Sequence, residues 1–557
     1  MAIDNNYIGR SLKVSSPSKR RRYFCDSLFR MVYILFSVPF IVFLWAELRY
    51  DVNMPNWDDY DSVLNWLVTF SRPGSFMDKV DLLFRQHNEH RIVFDRLVEL
   101  AELHALGVVN FIYLDVFGFI GLILLVSVIV RLGRRSGLPS WAMLPIPILL
   151  LSLSQNSLIS FSMASMQIYW AIMFSFLSFL FVTRCFDLKN MSTGFLFSVI
   201  ASFTSAGGLI GFPAVVIYYL ANKKYGLATL WSLGAMIIFW VYFVLFPYHP
   251  TAIGIASHHY AFTHPLNYLK YVTMFLGNMI SPASGAFIFG LLLLCTVCFL
   301  FFRRHVRLDS WIFLACTFII ATGAADGLSR ISLGMNAGLS SRYTPFGAIL
   351  VVLVYTGIII YQRDEKRRVV ITMFATVLSI ISYSLWFMPG IVSLDTTQAL
   401  MEHQLVYPVQ SRAYSELQGA IENKIFLPIA GIYRDLPSSL PLHTHCLYHK
   451  GYFGNIDSLS VAGGAIHIVG WAALQKRGIP ATAVIINVNG KYYPSWYDRP
   501  RPDVAQHFNH NDYLYTGYQS TISVPSNVFR LCHVSVVVVG LTRSRFYESP
   551  VKKIRCN

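Results

Sequence analysis

Long apolar runs separated by short polar connections fill the chain from about residue 29 to residue 390. A helix needs about 20 apolar residues to cross a bilayer, and about eleven stretches approach that length. They lie near 29–48, 109–130, 139–155, 167–183, 192–204, 207–221, 227–246, 284–302, 309–324, 345–361 and 369–389. The pair around "TSAGGLIGFP" (Thr204 to Pro213) is short, and its Gly and Pro suit one broken helix as well as two spans. Beyond the last run the pattern changes. "AYSELQGAIENKIF" (Ala413 to Phe426) has helical spacing, whereas "AIHIVGWAA" (Ala465 to Ala473), "ATAVIINVNGKYY" (Ala481 to Tyr493) and "CHVSVVVVGL" (Cys532 to Leu541) alternate as strands do. The Asn-Gly of "VNGK" is the signal of a tight hairpin. These patterns predict a polytopic α-helical membrane protein with a C-terminal β-sandwich. Its expected parts are an N-terminal tail (1–28), a transmembrane domain (29–390) with a long loop at 49–108, a linker with a helix (391–445) and the β-domain (446–557).

Composition agrees: 55% of the 557 residues are hydrophobic and 13% are charged, which excludes an ordinary soluble surface. The formal net charge of +16 raises the question of nucleic acid. Most basic residues, however, fall in short clusters between apolar runs, such as Lys19 to Arg22, Arg131 with Arg134 and Arg135, Lys223 with Lys224, and Lys366 to Arg368. They read as topology signals, and no nucleic-acid partner is expected. By the positive-inside rule these clusters face the cytoplasm, which sets the N-terminus inside and, after an odd number of spans, the β-domain outside. No cleavable signal is expected, because "SPSKRRR" precedes the first apolar run and no small-residue cleavage site follows it. Cys446, Cys532 and Cys556 then lie in an oxidising compartment, which allows one disulfide of unspecified pairing.

On this topology four segments, 49–108, 154–167, 247–283 and 325–344, share the outer face with the tail. The first is long for a connection and carries the candidate chemistry. Asp58, Asp59 and Asp61 of "NWDDYD" (Asn56 to Asp61) follow the first helix, where a carboxylate could deprotonate an acceptor hydroxyl; a solvated acidic turn is the plain alternative. From Asp78 to Leu106 the spacing of Val93, Leu97, Leu100 and Leu103 predicts a helix lying on the membrane surface. "HNEHRI" (His87 to Ile92) sits within it: Glu89 suits a second acid or base, while Arg91 and the histidines suit a phosphate. The alternative there is an Arg91–Asp95 pair at i,i+4 on a surface helix. His87 and His90 do not have the spacing of a zinc protease helix. "SRYTPF" (Ser341 to Phe346) puts Arg342 and Tyr343 at the mouth of a late span, with Arg330 one loop earlier. Arginines at that depth need a partner, and a lipid-linked phosphate would pair them. The histidine-rich loop "PYHPTAIGIASHHYAFTHPLNYLKYV" (Pro247 to Val272) suits a substrate cover and a surface helix equally.

The order of parts resembles the GT-C-fold glycosyltransferases, among them the serotype-converting O-antigen glucosyltransferases, the aminoarabinose transferases and the protein O-mannosyltransferases. That order is a first helix, "WDDYD", a helix with "NEHR", short broken spans and an Arg-Tyr at the start of a late helix. The tail segments "GWAA", "VNGKYY", "RPDVAQHF" and "TGY" look like a β-domain appended to bacterial membrane proteins of polysaccharide synthesis. The resemblance covers most of the chain in architecture and a few dozen residues in motif. It implies a hexosyltransferase of the bacterial inner membrane that takes a sugar, with glucose foremost, from a polyprenyl phosphate such as undecaprenyl phosphate. The acceptor would be a surface glycan such as lipopolysaccharide O-antigen in the periplasm, and a donor-making glycosyltransferase and a flippase would be functional partners. Carried over, Asp58 or Asp59 is the base and Glu89 the second acid. Arg342 holds the carrier phosphate. Arg330 as a second cation, and Tyr343, His90 and Arg91 as substrate-binding groups, stand on the reading of the residues rather than on the resemblance. The chain has Asp58-Asp59 where the mannosyltransferases have an adjacent Asp-Glu pair, so the base stays open between the two. No tightly bound cofactor is expected; Mg or Mn is left as an assisting ion only. The rival readings are a lipid-linked sugar flippase, which calls for ionisable residues in mid-membrane, and an O-antigen polymerase or ligase.

Overall fold

The structure is a computed structural model that describes residues 37–555 apart from 281, 303–309, 407–411, 427–446, 449–452, 463–464, 474–480, 482, 510–512, 515, 524–530 and 541–544. Among the described residues seven helices are long and apolar enough to cross a membrane. They are Phe111–Arg135, Ser162–Val182, Tyr225–Leu245, Ala283–Phe302, Trp311–Leu333, Ser341–Tyr361 and Glu365–Gln398. The shorter apolar helices Ser140–Leu150 and Ala206–Ala221, the 17-residue Leu188–Thr204 and a helix over 37–50 occupy the other expected places.

The ambiguous "TSAGGLIGFP" segment forms a hairpin of two helices. Ser205 breaks the first helix by adopting an extended conformation (φ −153°, ψ 146°). The second helix then runs back along it, so that Phe186 stacks on Tyr218 with 5.9 Å between ring centres. Close approach depends on Gly208, where a Cβ would lie 2.2 Å from the carbonyl carbon of Ala201. Gly208→Ala is therefore expected to force the helices apart at a cost of about 1–3 kcal/mol, read as a lower unfolding temperature in detergent. An unchanged unfolding temperature would contradict this packing.

The loop between 51 and 110 is folded, but not as one surface helix. Helices Phe76–Phe84 and Val93–Leu106 are interrupted at the stretch "HNEHRI". The second helix also turns its charged side inward: Asp95 and Glu99 are 0% exposed, whereas Leu97 is 50% exposed. In a water-soluble protein this orientation would be costly. A helix lying against lipid presents its apolar side outward in this way.

The last long helix does not stop at residue 390. It continues through Pro389 to Val406, a length of 42 residues, which at 1.5 Å per residue is about 63 Å and exceeds one bilayer. The next helix, Arg412–Glu422, is docked. Val109 N–H donates to the Ile425 carbonyl at 2.8 Å, Phe426 packs on Phe111, and Leu417 and Ala420 join the same buried core as the spans. The region 391–426, expected as linker, is thus largely part of the helical body, because its apolar residues find a complementary surface there. The remainder of the expected linker, 427–445, lies outside the described residues.

The C-terminal region is a two-sheet β-structure. Its strands are β1 (Leu447–Tyr448), β2 (Phe453–Ala462), β3 (Ala465–Ala473), β4 (Ala483–Val488), β5 (Lys491–Pro494), β6 (Trp496–Arg499), β7 (Gly517–Ser523), β8 (Leu531–Gly540), β9 (Arg545–Glu548) and β10 (Lys552–Arg555). One sheet has the order β1-β9-β8-β4-β5, with β10 also paired to β8, and the other has the order β2-β3-β7-β6. Alternate residues of both sheets, including Ile466, Ile468, Val484, Ile486, Val534 and Val536, close on one core, as period-2 patterning requires. The expected hairpin joins β4 to β5, with Asn489 at φ 50° and Gly490 at φ 82°. Arg501 locks a turn by donating to both oxygens of Asp503 and to Asp457. Cys532 is disulfide-bonded; Cys446 and Cys556 lie outside the described residues.

Candidate functional site

The segments expected on one face converge on a single cavity of about 720 Å³. Its lining comes from the 49–108 loop (Asp58, Asn88, Glu89, His90), from Phe161 to Ile168, from the hairpin tip at Ser205 to Ile210, from Tyr248 to His258, and from Ala325 to Phe346. Apolar side chains make up much of the wall, among them Phe161, Met163, Leu209, Phe243, Phe275 and Phe346. The polar groups include three carboxylates, Asp58, Glu89 and Asp326, and two arginines, Arg330 and Arg342.

"HNEHRI" reaches this wall through a tight turn. His87 and His90 exchange both backbone hydrogen bonds at 2.8 Å, and Asn88 takes a positive φ of 48°, so Asn88 and Glu89 stand at the tip in the manner of a type II′ turn. Glu89 is engaged at both oxygens: Arg330 donates to Oε2 at 2.7 Å and Thr251 donates to Oε1 at 2.6 Å. His90 accepts the Ala206 N–H on Nδ1 at 3.2 Å. Burial, together with the nearby cations Arg330, His87 and Arg342 and against the opposing charge of Glu89, pulls its pKa down to about 4. His90 is therefore neutral at pH 7, with its proton on Nε2 as a hydrogen-bond donor.

Asp58 and Asp59 part company. Asp59 is 1% exposed and accepts from the Met163 N–H at 2.9 Å and the Asn56 N–H at 3.1 Å. It caps the start of the Ser162–Val182 helix, and burial raises its pKa to about 7. Asp58 lines the cavity and is 45% exposed. His87, itself 7% exposed, lies between Asp58 at 4.0 Å and Asp61 at 3.5 Å, while the Asn88 amide donates to Asp58 at 3.3 Å. At 4.0 Å the His87–Asp58 pair is an ionic contact rather than a hydrogen bond. Polar pairing with His87, opposed by partial burial and aided by the charges of His87, Arg342 and Arg330, lowers the pKa of Asp58.

For His87 burial acts downward, but pairing with Asp58 and Asp61 prevails and lifts the pKa to about 9. A raised histidine pKa contributes stability that is full below the unfolded value of about 6.5. That contribution is lost as pH rises through about 9. Thermal stability of the wild type in detergent is therefore expected to fall between pH 7 and pH 9 more steeply than that of His87→Gln. Parallel curves for the two proteins would remove the His87 pairing from the account.

Arg91 is 1% exposed and does not reach the cavity. It donates to the carbonyls of Phe84 and Phe246 and to that of Tyr242 at 2.8 Å, and it forms no pair with Asp95. Arg96 likewise donates to Leu82, Leu83 and Arg85. The two arginines satisfy the carbonyls left open at the end of the Phe76–Phe84 helix, a structural task.

Arg342 sits in the short turn Ser341–Tyr343, which Ser341 pins to Ser157 by a 2.7 Å hydrogen bond. Its guanidinium carbon lies 4.9 Å from the Tyr343 ring centre, and its Nε has no hydrogen-bond partner although it is buried. Arg330 is neutralised by Glu89, whereas Arg342 carries a charge available to a ligand. The chain matches no family model, no curated protein and no solved structure.

Asp326 and Thr251, which the sequence does not single out, also line the cavity, as does His258 of the histidine-rich loop. The "DGLSR" spacing puts Asp326 one helical turn before Arg330, a signal masked by the end of an apolar run. For the histidine-rich loop the structure shows the surface helix. His258 lies on the helix Ala252–Thr263, with Nδ1 bonded to the Gly254 carbonyl at 2.8 Å. Among the described residues no group of three or more His, Cys, Asp or Glu is arranged to hold a metal ion.

Proposed function

We propose that this chain is a membrane glycosyltransferase that moves a hexose, with glucose the expected sugar, from a polyprenyl phosphate carrier to a surface glycan such as O-antigen. The reaction takes place on the periplasmic face of a bacterial inner membrane. One observation carries the reading: a single, largely apolar cavity holds an ionised carboxylate, Asp58, together with an unpaired guanidinium, Arg342, and a neutral histidine donor, His90. Apolar walls suit a lipid-linked substrate and exclude water, which strengthens the electrostatics inside. The disulfide at Cys532 fits a β-domain in an oxidising compartment.

In this mechanism the acceptor hydroxyl gives its proton to Asp58 as its oxygen attacks the anomeric carbon. The bond from that carbon to the phosphate oxygen breaks with inversion, and both bonding electrons leave with the phosphate. Arg342 meets the growing negative charge, which is the largest catalytic contribution. His90 donates from Nε2 to the same phosphate. Glu89, held by Arg330 and Thr251, fixes the turn that presents Asn88 and His90.

A lipid-linked sugar flippase is a second reading, drawn from Glu47, Asp51 and Asp115, all 8% exposed or less. Asp115 stands only four residues inside the Phe111–Arg135 helix, about 6 Å from its start, so this cluster lies near a helix end and not at mid-membrane. An O-antigen polymerase or ligase shares the outer arginines, and the acidic first loop favours the transferase. Surface glycan in cells carrying Asp58→Asn, Asp59→Asn, Glu89→Gln or Arg342→Ala separates these readings. If all four variants modify the glycan as the wild type does, the transferase reading fails and the flippase takes its place.

A further inference from the structure

Asp326 stands out among the cavity groups because it is a carboxylate beside the two arginines and yet is paired with neither of them. Its Oδ2 accepts the Tyr271 hydroxyl at 2.8 Å, and Tyr343, Arg330 and Arg342 are near enough to act on its charge. Both tyrosines are held firmly. Tyr271 is 0% exposed, with Gly327 and Gly338 pressed against its ring so closely that a Cβ on either would lie 3.3 Å or 3.1 Å from it. Tyr343 packs on Phe275 at 5.3 Å between ring centres. The carboxylate is thereby anchored by one rigid donor, Tyr271. Arg330, one turn further along the same helix, turns to Glu89 instead.

A carboxylate accepts about four hydrogen bonds, and among the described residues one of these positions is filled, by Tyr271. The rest open on the cavity that Asp326 lines. Whatever occupies that space must bring its own donors. A phosphate diester brings none and is repelled by like charge; a prenyl chain brings none. A pyranose presents adjacent hydroxyls at the spacing of the two carboxylate oxygens. The phosphate position is also close: Arg342 lines the same cavity and is near enough to act on the charge of Asp326, and Arg330 is about 6 Å along the helix.

On the transferase reading above, we propose that Asp326 recognises the transferred sugar itself, accepting hydrogen bonds from vicinal hydroxyls of a pyranose whose phosphate rests against Arg342. The opposed charges of Asp326 and Arg342 orient the donor, sugar toward one and phosphate toward the other. The site accordingly selects a neutral hexose with free neighbouring hydroxyls over one deoxygenated or substituted there.

The test uses the full chain in lipid nanodiscs and two probes, polyprenyl phosphate-glucose and the same polyprenyl phosphate without sugar. The wild type is expected to bind the sugar-bearing probe more tightly. Asp326→Asn should weaken that probe about 10- to 100-fold, as loss of hydrogen bonds to a charged group implies, and leave the bare carrier within twofold. Tyr271→Phe, which removes one anchor without touching ligand, should weaken the sugar-bearing probe in the same direction and serves if Asp326→Asn does not fold. Equal weakening of both probes, or no weakening of either, overturns the role of Asp326 and leaves the transferase reading standing. A wild type that binds the bare carrier as well as the sugar-bearing probe does the same. Failure of the wild type to bind either probe overturns both readings together.

Discussion

Asp58→Asn is expected to lower sugar transfer by about 100- to 10,000-fold, the range that removal of a general base produces. The amide keeps the shape of the side chain and can still meet the Asn88 amide and His87, so the fold should hold. What it loses is the capacity to take a proton. The same step predicts the pH dependence. Because His87 lowers the pKa of Asp58, the base is ready at any pH above the ordinary carboxylate value of about 3.9, and the acid limb of the profile lies below that value. Asp59→Asn is expected to act differently. Asp59 ties the start of the Ser162–Val182 helix through the Met163 N–H, so its loss should lower thermal stability, with the surviving folded fraction still active. Purified variants compared for transfer rate and for unfolding temperature separate the two carboxylates. Loss of activity in Asp59→Asn alone, with stability unchanged, would exchange their roles.

Arg342→Ala should cost about 100- to 1,000-fold in turnover, as expected for a group whose hold on the phosphate strengthens as the bond to it breaks and its negative charge grows. Its guanidinium is poised for an anion: Ser341 fixes the turn against Ser157, the Tyr343 ring supports one face, and the buried Nε lacks a partner. Lysine restores charge but not the planar fork, so Arg342→Lys should recover only part of the loss. Arg330→Ala should be milder in turnover, since that guanidinium already serves Glu89, and it should loosen the turn that presents His90. Steady-state kinetics of the three variants would show this order; equal activity of Arg342→Ala and wild type would remove the phosphate site from the account.

Much of this arrangement was legible in the sequence, for physical reasons that also explain the rest. Apolar runs and alternate basic clusters place the candidate helices, because the lipid requirement acts on composition within a single segment. The strand pattern and the Asn-Gly turn mark the β-region for the same local reason. Asp58, Glu89, His90, Arg330, Arg342 and Tyr343 all line one cavity, and each is a polar group in a segment that the topology sets on the outer face. The two that do not reach it, Asp59 and Arg91, differ from their neighbours only in which backbone groups lie opposite, and partners such as Met163 and Tyr242 are remote in sequence. A single helix from Asp78 to Leu106 was the expectation from periodicity. The His87–His90 turn breaks it because the two arginines beyond the break collect the open carbonyls of the helix before it. Asp326 is not legible in the sequence because its setting comes from Tyr271, which only the fold brings to it.

The most direct test of the central claim is glucosyl transfer by the purified full-length protein, with polyprenyl phosphate-glucose as donor and lipopolysaccharide as acceptor. Wild type and Asp58→Asn would be followed side by side at matched folding. The account predicts that the wild type releases the carrier phosphate and labels the acceptor, while Asp58→Asn binds the donor and leaves it intact. Transfer by Asp58→Asn at the wild-type rate would contradict it.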